Sequence, residues 1–340
     1  MMFNIAKVLA DIEADSDQNI DLLVDLLKIK SISTIPDYAD ECYQAAGWLK
    51  AFLDSFGMDA IIYESEGHPI VFSDYQTSRP EAKTILFYGH YDVQPVDPVS
   101  LWDSDPFDPV LSSIDNEPCI IARGASDDKG QLLTFLIALK YIKNEVGELP
   151  FSLKIILEGE EECGSKTLPI FLEDYKDKLS ADIAYVCDTG MWDKDTPAIT
   201  RSLRGLLSEE FKIIGPDRDL HSGEFGGVAW NPIRIITKIL SDVYDDEGKV
   251  TIPNFYDGVN EVNENIINSW KKLTFNETEY LNKIGQKSSS GETGRSIFEK
   301  TWSRPTFEIN GIFGGYTDEG TKTVIPSEAN AKQIGRASCR

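Results

Sequence analysis

The stretch Thr84–His90, TILFYGH, continued by Tyr91, Asp92, Val93, Gln94 and Pro95, sets a run of apolar and aromatic residues directly before a histidine and an aspartate. A run of that length and composition is that of a strand buried on both faces of a sheet. Two other segments have the same form: SLKIIL at 152–157 leads into EGEEECGS, and DIAYVC at 182–187 leads into DTG. Segments with helical apolar spacing lie around them, at 20–29, 42–56, 130–146 and 168–179. Buried strands alternating with helices predict an α/β domain with a mostly parallel sheet flanked by helices.

Beyond Arg204 the pattern changes. LLSEEFKII at 206–214 reads as a strand and NPIRIITKILSDVY at 231–244 as a helix. A polar, helix-rich insertion follows and ends in GQKSSSGETGRS at 285–296. PTFEINGI at 305–312 and TVIPSEANAK at 323–332 are two more strand candidates. A second, α+β domain is expected, with the boundary near Leu203: residues 1–203 form the first domain and 204–333 the second.

The balance of 33 Lys plus Arg against 57 Asp plus Glu gives a formal charge of -24, which disfavours nucleic acid and anionic membrane as partners. Five scattered cysteines without a paired spacing suit a reducing compartment. No apolar run reaches the roughly 18 residues of a membrane span, and the first residues carry no signal-peptide core. Cytoplasm is the expected location.

The chemistry-bearing residues lie just past the apolar runs. Singly they are weak: His90 reads as an interior histidine, Glu160 to Glu162 as a solvated loop, Asp127 beside Asp128 as a helix cap, Asp188 as a turn residue. Together, GHYD, GASDDKG, EGEEECGS and DTG bring one imidazole and many carboxylates to the sheet edge where open α/β folds bind ligands. Imidazole with carboxylates suits zinc or manganese, whereas calcium takes more oxygens and no histidine.

The strings LFYGHYDVQP, LWDSDPFDP, ARGASDDKG, LEGEEECGS, RSLRG, DLHSGEFGG and GGYTDEGTKTVIP resemble the aminoacylase, desuccinylase and carnosinase family of zinc metallopeptidases, and YGHYDVQP with DLHSGEFGG resembles its carnosinase-like dipeptidase branch. The resemblance extends from Ile20 to Lys332. It implies a catalytic domain with an inserted lid and dimerisation domain, two divalent metal ions (Zn2+, with Mn2+ as the other choice) and hydrolysis of dipeptides or short peptides by a metal-activated water. His90 is then a ligand of one metal, Asp92 the acid that steadies it, Asp127 the bridging ligand followed by a cis peptide bond, and Asp188 the last ligand of the first metal. Aligning EGEEECGS on its CGS end makes Glu161 the general base and Glu162 a ligand of the second metal, with Glu160 an ordinary neighbour and Gly164 permitting the turn. His221 is implied to hold the substrate carbonyl oxygen, and Asn310 and Thr323 to face the substrate from the lid. His68 matches no ligand position and reads as structural.

The family's last metal-binding histidine has no counterpart, because the chain contains only His68, His90 and His221. The chain is therefore expected to be C-terminally truncated and poorly active, to bind one metal well and the second weakly, and to end in an artificial tail at 334–340, IGRASCR, which resembles a translated sequencing adapter. A homodimer through the lid is implied for the full-length parent. Two rival functions stay open: an amide deacylase acting on N-acyl amino acids or N-succinyl diamines, and a non-catalytic metal-binding or dimerisation module.

Overall fold

The computed structural model describes residues 4–114 and 116–337, and these divide into two compact units that meet in sequence between Ile199 and Thr200.

The first unit opens with three helices, α1 (Ile5–Ala14), α2 (Ser16–Leu27) and α3 (Ala39–Ser55), followed by strands β1 (Ile61–Tyr63), β2 (Ile70–Tyr75) and β3 (Thr84–His90). A hairpin of β4 (Val110–Ile114) and β5 (Glu117–Ile121) precedes α4 (Lys129–Val146); β6 (Ser152–Glu158), α5 (Leu168–Asp174), α6 (Lys176–Leu179) and β7 (Ile183–Val186) complete the unit. The central sheet has the order β1-β2-β6-β3-β7. The three strands that carry the polar clusters, β6, β3 and β7, run parallel, and β2 and β1 extend the sheet antiparallel at one edge.

Period-two alternation fills both faces of the sheet at β2, β3 and β6, whereas β7, expected to be a buried strand, lies at the sheet edge with Ile183, Tyr185 and Val186 exposed. Val71, Phe87, Leu153, Ile155 and Leu157 pack with α2, α3 and α4, where Leu49, Leu53, Leu132, Leu133 and Leu136 are all buried. Phe87 stacks on Phe135 of α4 with ring centroids 3.8 Å apart. Ile70, Phe72 and Ile156 face the other way, against Phe171 and Leu179 of α5 and α6. A continuous helix over 168–179 was the expectation, but the structure breaks it at Tyr175, which caps α5 and packs its ring on Phe171 and Tyr63.

In the second unit β8 (Gly205–Ile214) is followed by β9 (Leu220–His221), α7 (Ser222–Phe225), α8 (Pro232–Asp242), α9 (Glu264–Trp270) and α10 (Glu277–Lys283), then β10 (Thr306–Gly314), β11 (Val324–Ile325) and β12 (Glu328–Ala337). An antiparallel sheet of order β10-β12-β8 receives α8, whose Ile236 and Leu240 pack on Ala329 and Ala331. Asn231 caps α8, its side chain accepting from the N–H of Ile233 and Arg234, with Pro232 in the first turn. Pro326 divides the single strand expected over 323–332 into β11 and β12. β12 does not break at Ile334: Ile334 to Arg336 pair with β8 on one side and β10 on the other, and 338–340 lie outside the described residues.

Candidate metal centre

The parallel strands end side by side, which places the sequence clusters together. His90 is the last residue of β3 and lies opposite Glu158, the last of β6. Glu161 and Glu162 follow β6 in a single 3-10 turn, and Asp188 follows β7. Asp127 precedes α4, and the peptide bond between Asp127 and Asp128 is cis.

His90 is fully buried. Its Nδ1 lies 3.2 Å from Asp92 Oδ1 and 3.1 Å from the Asp92 carbonyl oxygen. An Nδ1–H held there makes Nε2 the nitrogen that would coordinate a metal once it gives up its proton. Nε2 is 3.2 Å from Asp127 Oδ1 and 3.8 Å from Asp188 Oδ2, yet it has no hydrogen-bond partner among the described residues. One ligand atom each from His90, Asp127 and Asp188 lie within 4.8 Å of one another. The imidazole forms the buried floor, while Asp127 and Asp188 retain 60% and 34% side-chain exposure, so the centre is open on the carboxylate side.

Charge accounts for the demand for a cation. Burial alone would lower the His90 pKa, but the hydrogen bond and charge of Asp92, with Asp128 and Asp188, outweigh it and raise it to about 10. Burial pushes the Asp188 carboxyl up, and Asp127 adds to that while His90 opposes it. Glu162 is raised by burial first and by Asp127 next, against the hydrogen bond from Gln94. One buried imidazole nitrogen among several carboxylate oxygens fits a divalent ion of the zinc or manganese kind.

Asp92, also fully buried, does more than steady the imidazole. Its Oδ1 accepts from the N–H of Glu161 at 3.2 Å, and its Oδ2 from the N–H of Glu162 at 3.1 Å and from Ser33 Oγ at 2.5 Å. One carboxylate thus fixes both the histidine and the turn bearing the two glutamates. Gly164 closes that turn at φ +93°, in the left-handed region that glycine adopts without cost.

The three consecutive glutamates diverge. Glu160 is buried and its Oε2 accepts from Thr167. Glu162 accepts from Gln94 Nε2 at 2.9 Å. Glu161 is partly buried, accepts no hydrogen bond on its carboxylate among the described residues, and is raised by burial first. Glu162 lies outside the three-residue group of His90, Asp127 and Asp188. Asp128 occupies the N-cap position of α4 but makes no side-chain cap; its Oδ2 instead accepts the His90 N–H at 3.1 Å, and burial raises its pKa to about 7.

Ser33, Gln94 and Asp128 are site residues that the sequence reading did not assign. Gln94 and Asp128 sit inside quoted motifs, next to assigned residues; Ser33 carries no local signal at all. His68 is half-buried with Nε2 3.0 Å from the Ser33 carbonyl. In the second unit, His221 Nε2 lies 3.3 Å from Thr323 Oγ1, across the β9–β11 pair, and its Nδ1 accepts from the Gly223 N–H. Asn310 is exposed at the register shift of β10, an extra residue unpaired with β12, and is not a partner of His221.

The family model for peptidase family M20/M25/M40 matches residues 86–328, and the chain belongs to that family. It is 34% identical over 274 residues to the Beta-Ala-His dipeptidase of Homo sapiens, covering 80% of this chain and 52% of the relative. It is 32% identical over 274 residues to the Cys-Gly metallodipeptidase dug1 of Schizosaccharomyces pombe, covering 80% and 56%. Among solved structures, the M20 family metallo-carboxypeptidase Sso-CP2 of Sulfolobus solfataricus superimposes with a TM-score of 0.80 at 34% identity, covering 94% of this chain and 71% of that one. The chain spans about half the length of the curated relatives it matches.

Proposed function

We propose that this chain carries the metal centre of a dipeptidase that hydrolyses the peptide bond of dipeptides or short peptides. The observation that carries the reading is the pairing of an Asp92-held imidazole, its Nε2 turned to Asp127 and Asp188, with an unengaged carboxylate at Glu161. His90, Asp127 and Asp188 would hold the first divalent ion, and Asp127 with Glu162 would hold part of the second. Such ions supply Lewis acidity, lowering the pKa of water to about 7 for zinc and polarising an amide carbonyl.

Glu161 takes a proton from the attacking water and returns it to the leaving amine, a role suited to a carboxylate that burial has made more basic. The engagement of Glu160 with Thr167 and of Glu162 with Gln94 supports assigning that role to Glu161. Asp92 keeps imidazole and base in one frame. His221, its Nδ1 accepting from the Gly223 N–H, would donate through Nε2 to the carbonyl oxygen of the substrate in place of Thr323 Oγ1, with Thr323 and Asn310 as further substrate contacts. The second unit, residues 204–333 in this reading, would act as lid and dimerisation domain on a catalytic domain of residues 1–203, in a cytoplasmic homodimer using Zn2+ or Mn2+. Among the described residues no helix is long and apolar enough to cross a membrane.

The names of the two curated relatives, both dipeptidases, support the peptide over the N-acyl amino acid as substrate. Side-by-side assays of dipeptides and N-acetyl amino acids with Zn2+ or Mn2+ test this. Selective dipeptide turnover is expected. Preference for the N-acyl substrates would make it a deacylase, and metal binding without any turnover would favour a binding module.

A further inference from the structure

Glu160 was left without a role by the sequence, and its surroundings give it one. The turn that carries Glu161 and Glu162 has little regular structure of its own, so the fate of each N–H decides its geometry. Asp92 takes those of Glu161 and Glu162. The main-chain carbonyl of Glu160 takes those of Cys163 at 3.2 Å and Ser165 at 2.7 Å. The Glu161 carbonyl takes that of Gly164 at 2.9 Å, the Glu160 carboxylate takes that of Thr167 at 3.1 Å, and the Thr167 hydroxyl donates to the same oxygen. Residue 160 therefore closes the turn through both its backbone and its side chain.

Glu160 is 5% exposed, and the loop between β1 and β2 lies against its carboxyl group. A Cβ built on Gly67 would overlap the Glu160 carboxyl group. That loop is itself fastened to the site: Tyr91 Oη donates to the Pro69 carbonyl at 2.5 Å, and His68 Nε2 meets the carbonyl of Ser33, whose hydroxyl holds Asp92. Gly67 thus lets a second segment press on the latch without displacing it.

We propose that Glu160 is a positioning residue: latched to Thr167 beneath Gly67, it sets where Glu161 and Glu162 stand relative to His90 and Asp127. This rests on the metal-centre reading above. The glutamates divide into one that holds the turn and two that face the chemistry.

The test compares the parent chain with E160A, G67A and the conservative variant E160Q. Two readouts are used: Zn2+ titration, and hydrogen exchange of residues 159–167 against strand β3. E160A and G67A should weaken the lower-affinity Zn2+ equivalent by about 10–100-fold while sparing the tighter one. Exchange in 159–167 should rise by about tenfold or more with β3 unchanged. G67A matters most, because it disturbs the latch with Glu160 chemically intact. E160Q keeps an acceptor for Thr167 and should stay within about threefold of the parent. Faster exchange throughout β3 as well, or loss of both Zn2+ equivalents together, would reduce Glu160 to a stability residue and overturn the proposal. A parent that binds Zn2+ while E160A and G67A match it in affinity and exchange would overturn the positioning role alone. A parent that binds no Zn2+ would sink the metal-centre reading and this role with it.

Discussion

Replacing Asp92 by asparagine removes one charge and one acceptor at the point where His90 and the glutamate turn are tied together. Each carboxylate oxygen serves two donors: Oδ1 faces His90 Nδ1 and the Glu161 N–H at 3.2 Å each, Oδ2 faces Ser33 Oγ at 2.5 Å and the Glu162 N–H at 3.1 Å. If the amide nitrogen takes the place of Oδ2, Ser33 can rotate its hydroxyl and accept, but the Glu162 N–H loses its acceptor. If it takes the place of Oδ1, the Glu161 N–H is orphaned and the His90 Nδ1–H keeps only the Asp92 carbonyl, at 3.1 Å, as its acceptor, without the carboxylate charge that favours that tautomer. Either orientation leaves one backbone donor unpaired, at about 1–3 kcal/mol. That matches the roughly 10–100-fold loss of metal affinity typical of such outer partners, or about 1.4–2.8 kcal/mol. Zn2+ affinity by chelator competition and a urea unfolding curve measure the two effects. D92N binding Zn2+ within about twofold of the wild type, with an unchanged unfolding midpoint, would refute the reasoning.

Glu161→Gln should lower dipeptide turnover by about 100-fold or more while leaving Zn2+ content intact, since the amide cannot accept a proton; metal analysis beside kinetics checks it, and retained turnover would remove Glu161 from the mechanism. In the metal-free chain the His90 pKa, raised from 6.5 to about 10, makes the imidazolium a stabilising group whose contribution is complete below pH 6.5 and is lost as pH rises through about 10. Zn2+ uptake near pH 8 should accordingly release about one proton, read by calorimetry in buffers of different ionisation heat, and uptake without proton release would contradict the assignment. Phe87→Ala, deleting a fully buried ring stacked on Phe135 beneath the histidine strand, should cost about 3–5 kcal/mol in denaturant unfolding. A change below about 1 kcal/mol would mean that the sheet does not pack on α4 as described.

The site strands were legible because β3, β6 and β7 are short, mostly apolar runs (β6 interrupted by Lys154) that each lead directly into a polar cluster. β2 was not, because IVFSDY mixes its apolar residues with Ser73 and Asp74, and Ser73 is buried only through its bond to the Met58 carbonyl. The β4–β5 hairpin is mostly exposed, and its apolar residues lack strict alternation, so it leaves no periodic trace. The continuation of β12 through Gly335 and Arg336 comes from backbone pairing on both sides, which side-chain pattern does not encode. At the site, His90, Asp127 and Asp188 stand in local motifs and could be read; Ser33 reaches Asp92 from 59 residues away and could not. Nor could the run of three glutamates say which carboxylate turns inward, a choice made by Thr167 and Gly67.

The most direct test of the metal centre is an anomalous difference map at the zinc edge from crystals of the chain grown with Zn2+. A peak is predicted at about 2.0–2.2 Å from His90 Nε2 and from carboxylate oxygens of Asp127 and Asp188. A zinc peak elsewhere, with none between those three side chains, would contradict it.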